Sequence, residues 1–487
     1  MKQVLISVII CLSFIFSVKA KKPNVVYVLT DQWRASAFGY AGDVNVQTPN
    51  IDKFASEAVN FRNAVSVCPV CTPHRASLMT GKYPTSTGMF LNDLSLPDNE
   101  LCMAEIFKSA GYSTAYLGKW HLDGHGRFNN VSPERRQGFD YWKALECSHD
   151  YNHMAYYEND SPEMKYWEGY SPFAISREAQ NYIDEHIQDE NPFLLFVSIA
   201  APHFPHTNAP EEYKALYPES EIKTAPNVPD EMVARIQKEL NGYYAHCTAI
   251  DDAVGELLDK MKELGMMENT VVVFTSDHGE MMGSHGVRPK SKQVAWDESL
   301  RVPFLIKTPF NTEDKGDVIQ APITTPDILP TLLGLANIDI PETVEGGDLS
   351  WLVKSPDPAF DRPALFMNVC PFGNEYHNDE YRGIRTKQYT YVCSPEGAIM
   401  LFDDINDPDQ LHNLVNKKEF ARLQKSLNKK LKAELKKIGD KNFKNREFYL
   451  DKWNLKLNGG NGRVVDYSGF RKGEGVVQSP SISKQYN

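Results

Sequence analysis

Short apolar runs that each break off at a cluster of polar residues constrain this chain more than any other feature. Asn24-Val25-Val26-Tyr27-Val28-Leu29-Thr30 stops at Asp31. Tyr112 to Leu117 leads into Gly118-Lys119-Trp120-His121, and Pro192 to Ala200 leads into Ala201-Pro202-His203. Thr270 to Thr275 ends in Ser276-Asp277-His278-Gly279-Glu280, and Val302 to Lys307 is a further run. Runs of this length and composition read as strands buried on both faces. Helical patterns lie between them. Thr48-Pro49-Asn50-Ile51-Asp52 opens a helix with Ile51, Phe54, Ala55 and Ala58 on one side. Met103 to Ala110 is a second helix, and Glu231 to Leu264 is a long one stopped by Gly265. The alternation predicts an α/β fold, a sheet covered by helices on both faces. Such sheets bind ligands beyond the carboxyl ends of their strands, which is where the polar clusters fall.

The pattern changes after about residue 355. Tyr381 to Thr386 and Tyr389 to Val392 read as paired strands. Lys417 to Ile438 reads as an amphipathic helix whose lysines form a solvated face, and the last 40 residues read as loop-rich. At the other end, Lys2, the apolar run Val4 to Phe16 and the small-residue site Val18-Lys19-Ala20 predict a cleaved export signal over residues 1–20. The run is short of the ~18–20 residues that span a bilayer, so no stable membrane insertion is expected. Domains are then expected at 21–355 and 356–487.

The net charge of −12 argues against nucleic acid as a partner. A cationic pocket in such a protein would be local. Of the eight cysteines, Cys11 lies in the signal, and the six that remain beside Cys71 are scattered without metal-ligand spacing. Cys68-Pro69-Val70-Cys71 also matches a dithiol motif, but no second pair completes a zinc site.

Cys71-Thr72-Pro73-His74-Arg75, followed by Ala76-Ser77-Leu78-Met79-Thr80-Gly81-Lys82, resembles the signature of the type I sulfatases of the alkaline phosphatase-like superfamily. The resemblance runs from about residue 22 to 416 with its motifs in order. It implies a large mixed β-sheet sandwiched by helices. A smaller C-terminal α+β subdomain, with a four-stranded antiparallel sheet and a helix, would complete it. It implies that Cys71 is oxidised to formylglycine (3-oxoalanine) by a formylglycine-generating or sulfatase-maturating enzyme. The hydrated aldehyde carries two hydroxyls on one carbon. One would attack sulfur, and the other would expel sulfate by re-forming the aldehyde.

The resemblance also assigns roles. Asp31, Gln32, Asp277 and His278, with Cys71 beside them, would hold one divalent cation, with Ca²⁺ fitting the oxygen-rich set. Arg75 would pair with the nucleophile or the metal ligands. Lys119 would bind a sulfate oxygen and His121 would contact the nucleophile. His203 would protonate the leaving oxygen. The segment Trp296-Asp297-Glu298-Ser299-Leu300-Arg301-Val302-Pro303 sets a count back to Lys292 as the last active lysine, with Lys290 as the alternative.

A sulfated carbohydrate, polysaccharide or oligosaccharide, is the expected substrate, and the export signal places the protein in the periplasm or outside the cell. Trp33, Arg34, His125, the stretch Cys147 to His153 and Arg288 are candidate pocket residues. Two rival readings stand beside this one. A phosphonate monoester or phosphodiester hydrolase of the same superfamily can use the same Cys-x-Pro-x-Arg nucleophile. An inactive glycan-binding homologue would keep the fold without the chemistry.

Overall fold

The computed structural model describes residues 22–310, 316–371, 380–458 and 463–466. The predicted export signal lies outside the described residues.

Five parallel strands form the centre of a ten-stranded sheet. They are β1 (Asn24–Asp31), β2 (Ser113–Lys119), β3 (Tyr141–Leu145), β4 (Phe193–Pro202) and β5 (Thr270–Ser276). Their spatial order is β5-β1-β4-β2-β3. Phe304–Lys307 pairs antiparallel to β5 and extends that edge through Val59–Phe61 and Val318–Ile319. Ala155–Glu158 and Met164–Tyr166 extend the other edge. The sheet is therefore mixed, as expected.

Alternation along the strands divides the core in two. Val25, Tyr27 and Leu29 face one side with Val271 and Val273. Val26 and Val28 face the other with Val272 and Phe274. The first face packs against α1 (Cys71–Thr80) and α4 (Thr325–Leu335). The second packs against α2 (Ser171–His186) and α3 (Val233–Glu263).

Four antiparallel strands in sequence order make the C-terminal sheet: β6 (Ala364–Asn368), β7 (Tyr381–Arg385), β8 (Tyr389–Ser394) and β9 (Gly397–Asp403). Helix α5 (Ala421–Lys437) lays Leu427, Leu431 and Leu435 into the core that also holds Leu365 and Ile384. Phe366 and Val392 face the other way, towards Ala295 and Leu300 of the main domain. The stretch read as a loop-rich tail departs from expectation. It holds part of a helix, Arg446–Lys452, and a hairpin of Lys456–Asn458 with Arg463–Asp466. Short strands and a seven-residue helix carry little periodicity, so composition alone missed them. Residues 459–462 and 467–487 of that stretch lie outside the described residues.

Candidate active site

The register of the central strands sets the site. β1 and β5 run parallel with Thr30 opposite Ser276, so Asp31 and Asp277 emerge side by side. Lys119 closes β2, and His203 follows β4 directly. Cys71 comes from outside the sheet as the first residue of α1, a helix buried along its whole length. The positive end of a helix favours an anionic nucleophile there.

Backbone strain marks the same strand ends. Gln32 and His121 occupy the left-handed region, with φ of 64° and 61°. Non-glycine residues held so are a common feature of functional sites. Gly118, just before Lys119, has φ of 97°, and a Cβ there would lie 2.0 Å from the Ser198 carbonyl oxygen. Only glycine lets β2 and β4 approach this closely beside the site.

Cys71 Sγ lies 3.4 Å from His278 Nε2, 3.5 Å from Lys292 Nζ, 3.7 Å from Lys119 Nζ and 3.8 Å from Asp31 Oδ1. Lys119 and Arg75 both reach Asp31 Oδ2, at 2.7 and 3.0 Å. Arg75 also donates to Asp277 Oδ2 at 3.3 Å, to the Lys119 carbonyl at 2.9 Å and to Ser198 Oγ at 2.8 Å. The guanidinium thus ties three strand ends to the helix that carries Cys71. Lys292 donates to Gln32 Oε1 at 3.1 Å and to His203 Nε2 at 3.0 Å. Lys290, the alternative lysine, is directed away and pairs with Glu239.

Two imidazole tautomers follow from these partners, because a carbonyl only accepts and an ammonium only donates. His278 Nδ1 lies 2.9 Å from the Gly279 carbonyl, so Nδ1 carries the proton and Nε2 turns a lone pair towards Cys71 and the aspartates. His203 Nδ1 lies 2.8 Å from the Phe204 carbonyl, so its Nε2 accepts from Lys292.

Burial pushes the Asp31 carboxyl up, but Lys119, His203, Arg75 and His278 overcome it and hold it well below the usual range. Burial and the neighbouring Asp31 push Asp277 up to about 6. Burial and Asp31 also push the Cys71 thiol up, yet Lys119, Lys292 and His278 win and hold it well below its ordinary value. His203 is depressed by burial, Lys292 and His149. Burial works against the charged form of His121, but Cys147, Asp93 and Cys71 raise it to about 10.

Ligand atoms of Asp31, Cys71, Asp277 and His278 all lie within 4.8 Å of one another. Two carboxylates and an imidazole lone pair suit a divalent cation. Burial and Asp277 act oppositely on His278, and its raised affinity for a proton reports the field that would equally favour a cation. The fit is therefore one of chemistry as well as proximity.

Several contributors escaped the sequence reading. Asp93 Oδ1 lies 2.9 Å from His121 Nε2, and Asp93 also holds Arg127. Glu280 accepts from Gln32 Nε2. The His149 ring stacks on His203 at 4.3 Å, within the stretch Cys147 to His153 that was read as pocket. Tyr151 instead donates to the Ala200 and His203 carbonyls, at 3.2 and 2.5 Å, and supports the loop from below. His153 stacks on Tyr166. His125 Nδ1 faces Asp123. Trp33 corrects the pocket reading. It is fully buried against Phe38 and Phe274 and offers no face to a sugar. Arg34 is buried beside the Tyr243 and Tyr244 hydroxyls, while Arg288 is exposed. Cys68 is a buried free thiol pushed up by its burial, which fits a core residue and not a dithiol.

Comparisons with known proteins agree on one family. Residues 23–338 match the model of the sulfatases. Residues 283–437 match that of the N-sulphoglucosamine sulphohydrolase C-terminal region. An ulvan-active sulfatase from Formosa agariphila is 61% identical over 459 residues, covering 94% of this chain and 89% of its own length. An endo-4-O-sulfatase from Bacteroides thetaiotaomicron is 32% identical over 479 residues, covering 85% of this chain and 92% of its own. A solved structure from glycosaminoglycan metabolism in Bacteroides thetaiotaomicron superposes with a TM-score of 0.78 at 30% identity, covering 89% of this chain and 99% of its own.

Proposed function

The chain belongs to the sulfatase family, and on that premise we propose that it hydrolyses sulfate esters of a sulfated polysaccharide or its oligosaccharide fragments. The observation that carries the substrate class is the ulvan-active relative, similar over 94% of this chain. The site supports the chemistry. Lys119, Lys292 and His121 surround the Cys71 side chain with positive charge, which a sulfate ester needs before a nucleophile can approach.

Cys71 is converted to formylglycine by a maturating enzyme of the host, so its Sγ here stands in for the oxygen of the mature side chain. Asp31, Gln32, Asp277 and His278, beside residue 71, would hold Ca²⁺, which would supply Lewis-acid stabilisation of negative charge there. The remaining steps belong to the protein. Arg75 fixes Asp31 and Asp277 against the nucleophile helix. Lys119 and Lys292 donate to sulfate oxygens as charge builds on them. Protonation of the leaving oxygen falls to His203 once Lys292 has charged it: the proton passes from the ammonium to the neutral Nε2 3.0 Å away and on to the leaving oxygen, which leaves Lys292 a neutral amine. Residues 1–20 direct export, and the protein acts in the periplasm or outside the cell.

The test is sulfate release from a panel of sulfated mono- and oligosaccharides, including ulvan fragments, with a matched phosphate diester and phosphonate alongside. Sulfate release from a carbohydrate is expected. A faster rate on the diester or phosphonate would reverse the assignment.

A further inference from the structure

Gln32 is a weak ligand by chemistry, because only one end of its amide can face a cation. The wrong rotamer would present NH₂ to the metal and to Lys292. Something must decide the orientation, and in this chain the partners leave no choice. Lys292 Nζ lies 3.1 Å from Oε1, and an ammonium has no acceptor. Glu280 takes the other end, and an ionised carboxylate has no donor.

Glu280 is itself pinned. Its Oε1 accepts from the Met282 and Lys290 amides at 3.1 and 2.8 Å, which leaves Oε2 for Gln32 Nε2. The side chain is fully buried, so no solvent competes for it.

We propose that Glu280 is a positioning residue for the metal site, acting through Gln32. Its carboxylate holds the Gln32 amide so that Oε1 faces the cation and the nucleophile. This rests on the reading of Gln32 as a metal ligand given above.

Glu280→Gln changes little in size but exchanges an acceptor for a donor. The two backbone amides of Met282 and Lys290 would claim the new amide oxygen. Its NH₂ would then face Gln32 and drive that amide to flip, turning NH₂ towards the cation. Adding Gln32→Glu removes the conflict. A carboxylate at position 32 accepts from the new amide and from Lys292, and again offers oxygen to the metal.

The experiment is Ca²⁺ binding by the purified mature protein after chelator stripping, followed by calorimetry, with the melting temperature of the stripped protein as a control. Glu280→Gln is expected to weaken Ca²⁺ binding ~10–100-fold, the scale for lost support of a metal ligand. Glu280→Gln/Gln32→Glu should recover most of that loss. A purely structural role would lower the melting temperature of the stripped protein without this rescue. Gln32→Ala separates ligation from positioning. If it leaves Ca²⁺ binding unchanged, the ligand reading fails. If it abolishes binding while Glu280→Gln binds like the parent, the positioning role fails. Should Glu280→Gln not fold, a double variant that binds Ca²⁺ no better than Gln32→Ala overturns the proposal.

Discussion

Lys292 Nζ lies 3.0 Å from His203 Nε2, although the two residues are 89 positions apart. The resting proton is on the lysine, and the imidazole accepts it. Under the proposed function, acid catalysis at the leaving oxygen would belong to this pair. Lys292→Ala and His203→Ala should each lower kcat/KM on an aryl sulfate ~10²–10³-fold. Because the two act as a unit, the double variant should lose little beyond either single one. Losses that multiply would break the pairing.

Cys71→Ala should abolish turnover and leave the melting temperature close to that of the parent. The change removes one small atom at the start of a buried helix and no large apolar group. Mass spectrometry of the residue 71 peptide from the native host should show an aldehyde in the active protein. An unmodified thiol with full activity would overturn the mechanism.

Chelation should lower both activity and melting temperature, since Asp31, Asp277 and His278 would then sit together without a cation. Returning Ca²⁺ at ~100 times its dissociation constant should restore about 2.7 kcal/mol of stability. Differential scanning calorimetry with and without Ca²⁺ reads this directly.

Asp93 should set the alkaline limb of the pH profile. Burial opposes the charge on His121, but Cys147 and the Asp93 hydrogen bond raise it to about 10. The ring is therefore cationic below that pH and loses its charge above it. Asp93→Asn removes one raising contact, so the His121 charge should be lost at lower pH. The alkaline fall of kcat/KM should move to lower pH, while Asp93→Glu keeps the parent profile more closely. An unmoved limb would remove Asp93 from this role.

Gly118→Ala should destabilise by ~2–4 kcal/mol, because the new methyl meets the Ser198 carbonyl at a positive φ. Activity should fall as well, since Lys119 is the next residue and Ser198 holds Arg75. Thermal melts and kcat/KM measured together report both.

The chain by itself determined the α/β alternation and where its polar clusters fall. Strands buried on both faces are mostly apolar, and charged residues are rare inside them, so each run announced its own end at Asp31, Lys119, His203 or Asp277. Count and spacing also favoured Lys292 over Lys290, and the two lysines do point to different partners. What remained hidden were contacts between residues far apart in the chain. Asp93 carries no local pattern, and Trp33 looks the same in a sequence whether it lines a pocket or fills a core. Glu280 stood in plain view within Asp277-His278-Gly279-Glu280, but only folding sets it against the amide of Gln32. Side-chain direction and hydrogen-bond partner are decided by packing in three dimensions, and no one-dimensional period encodes them.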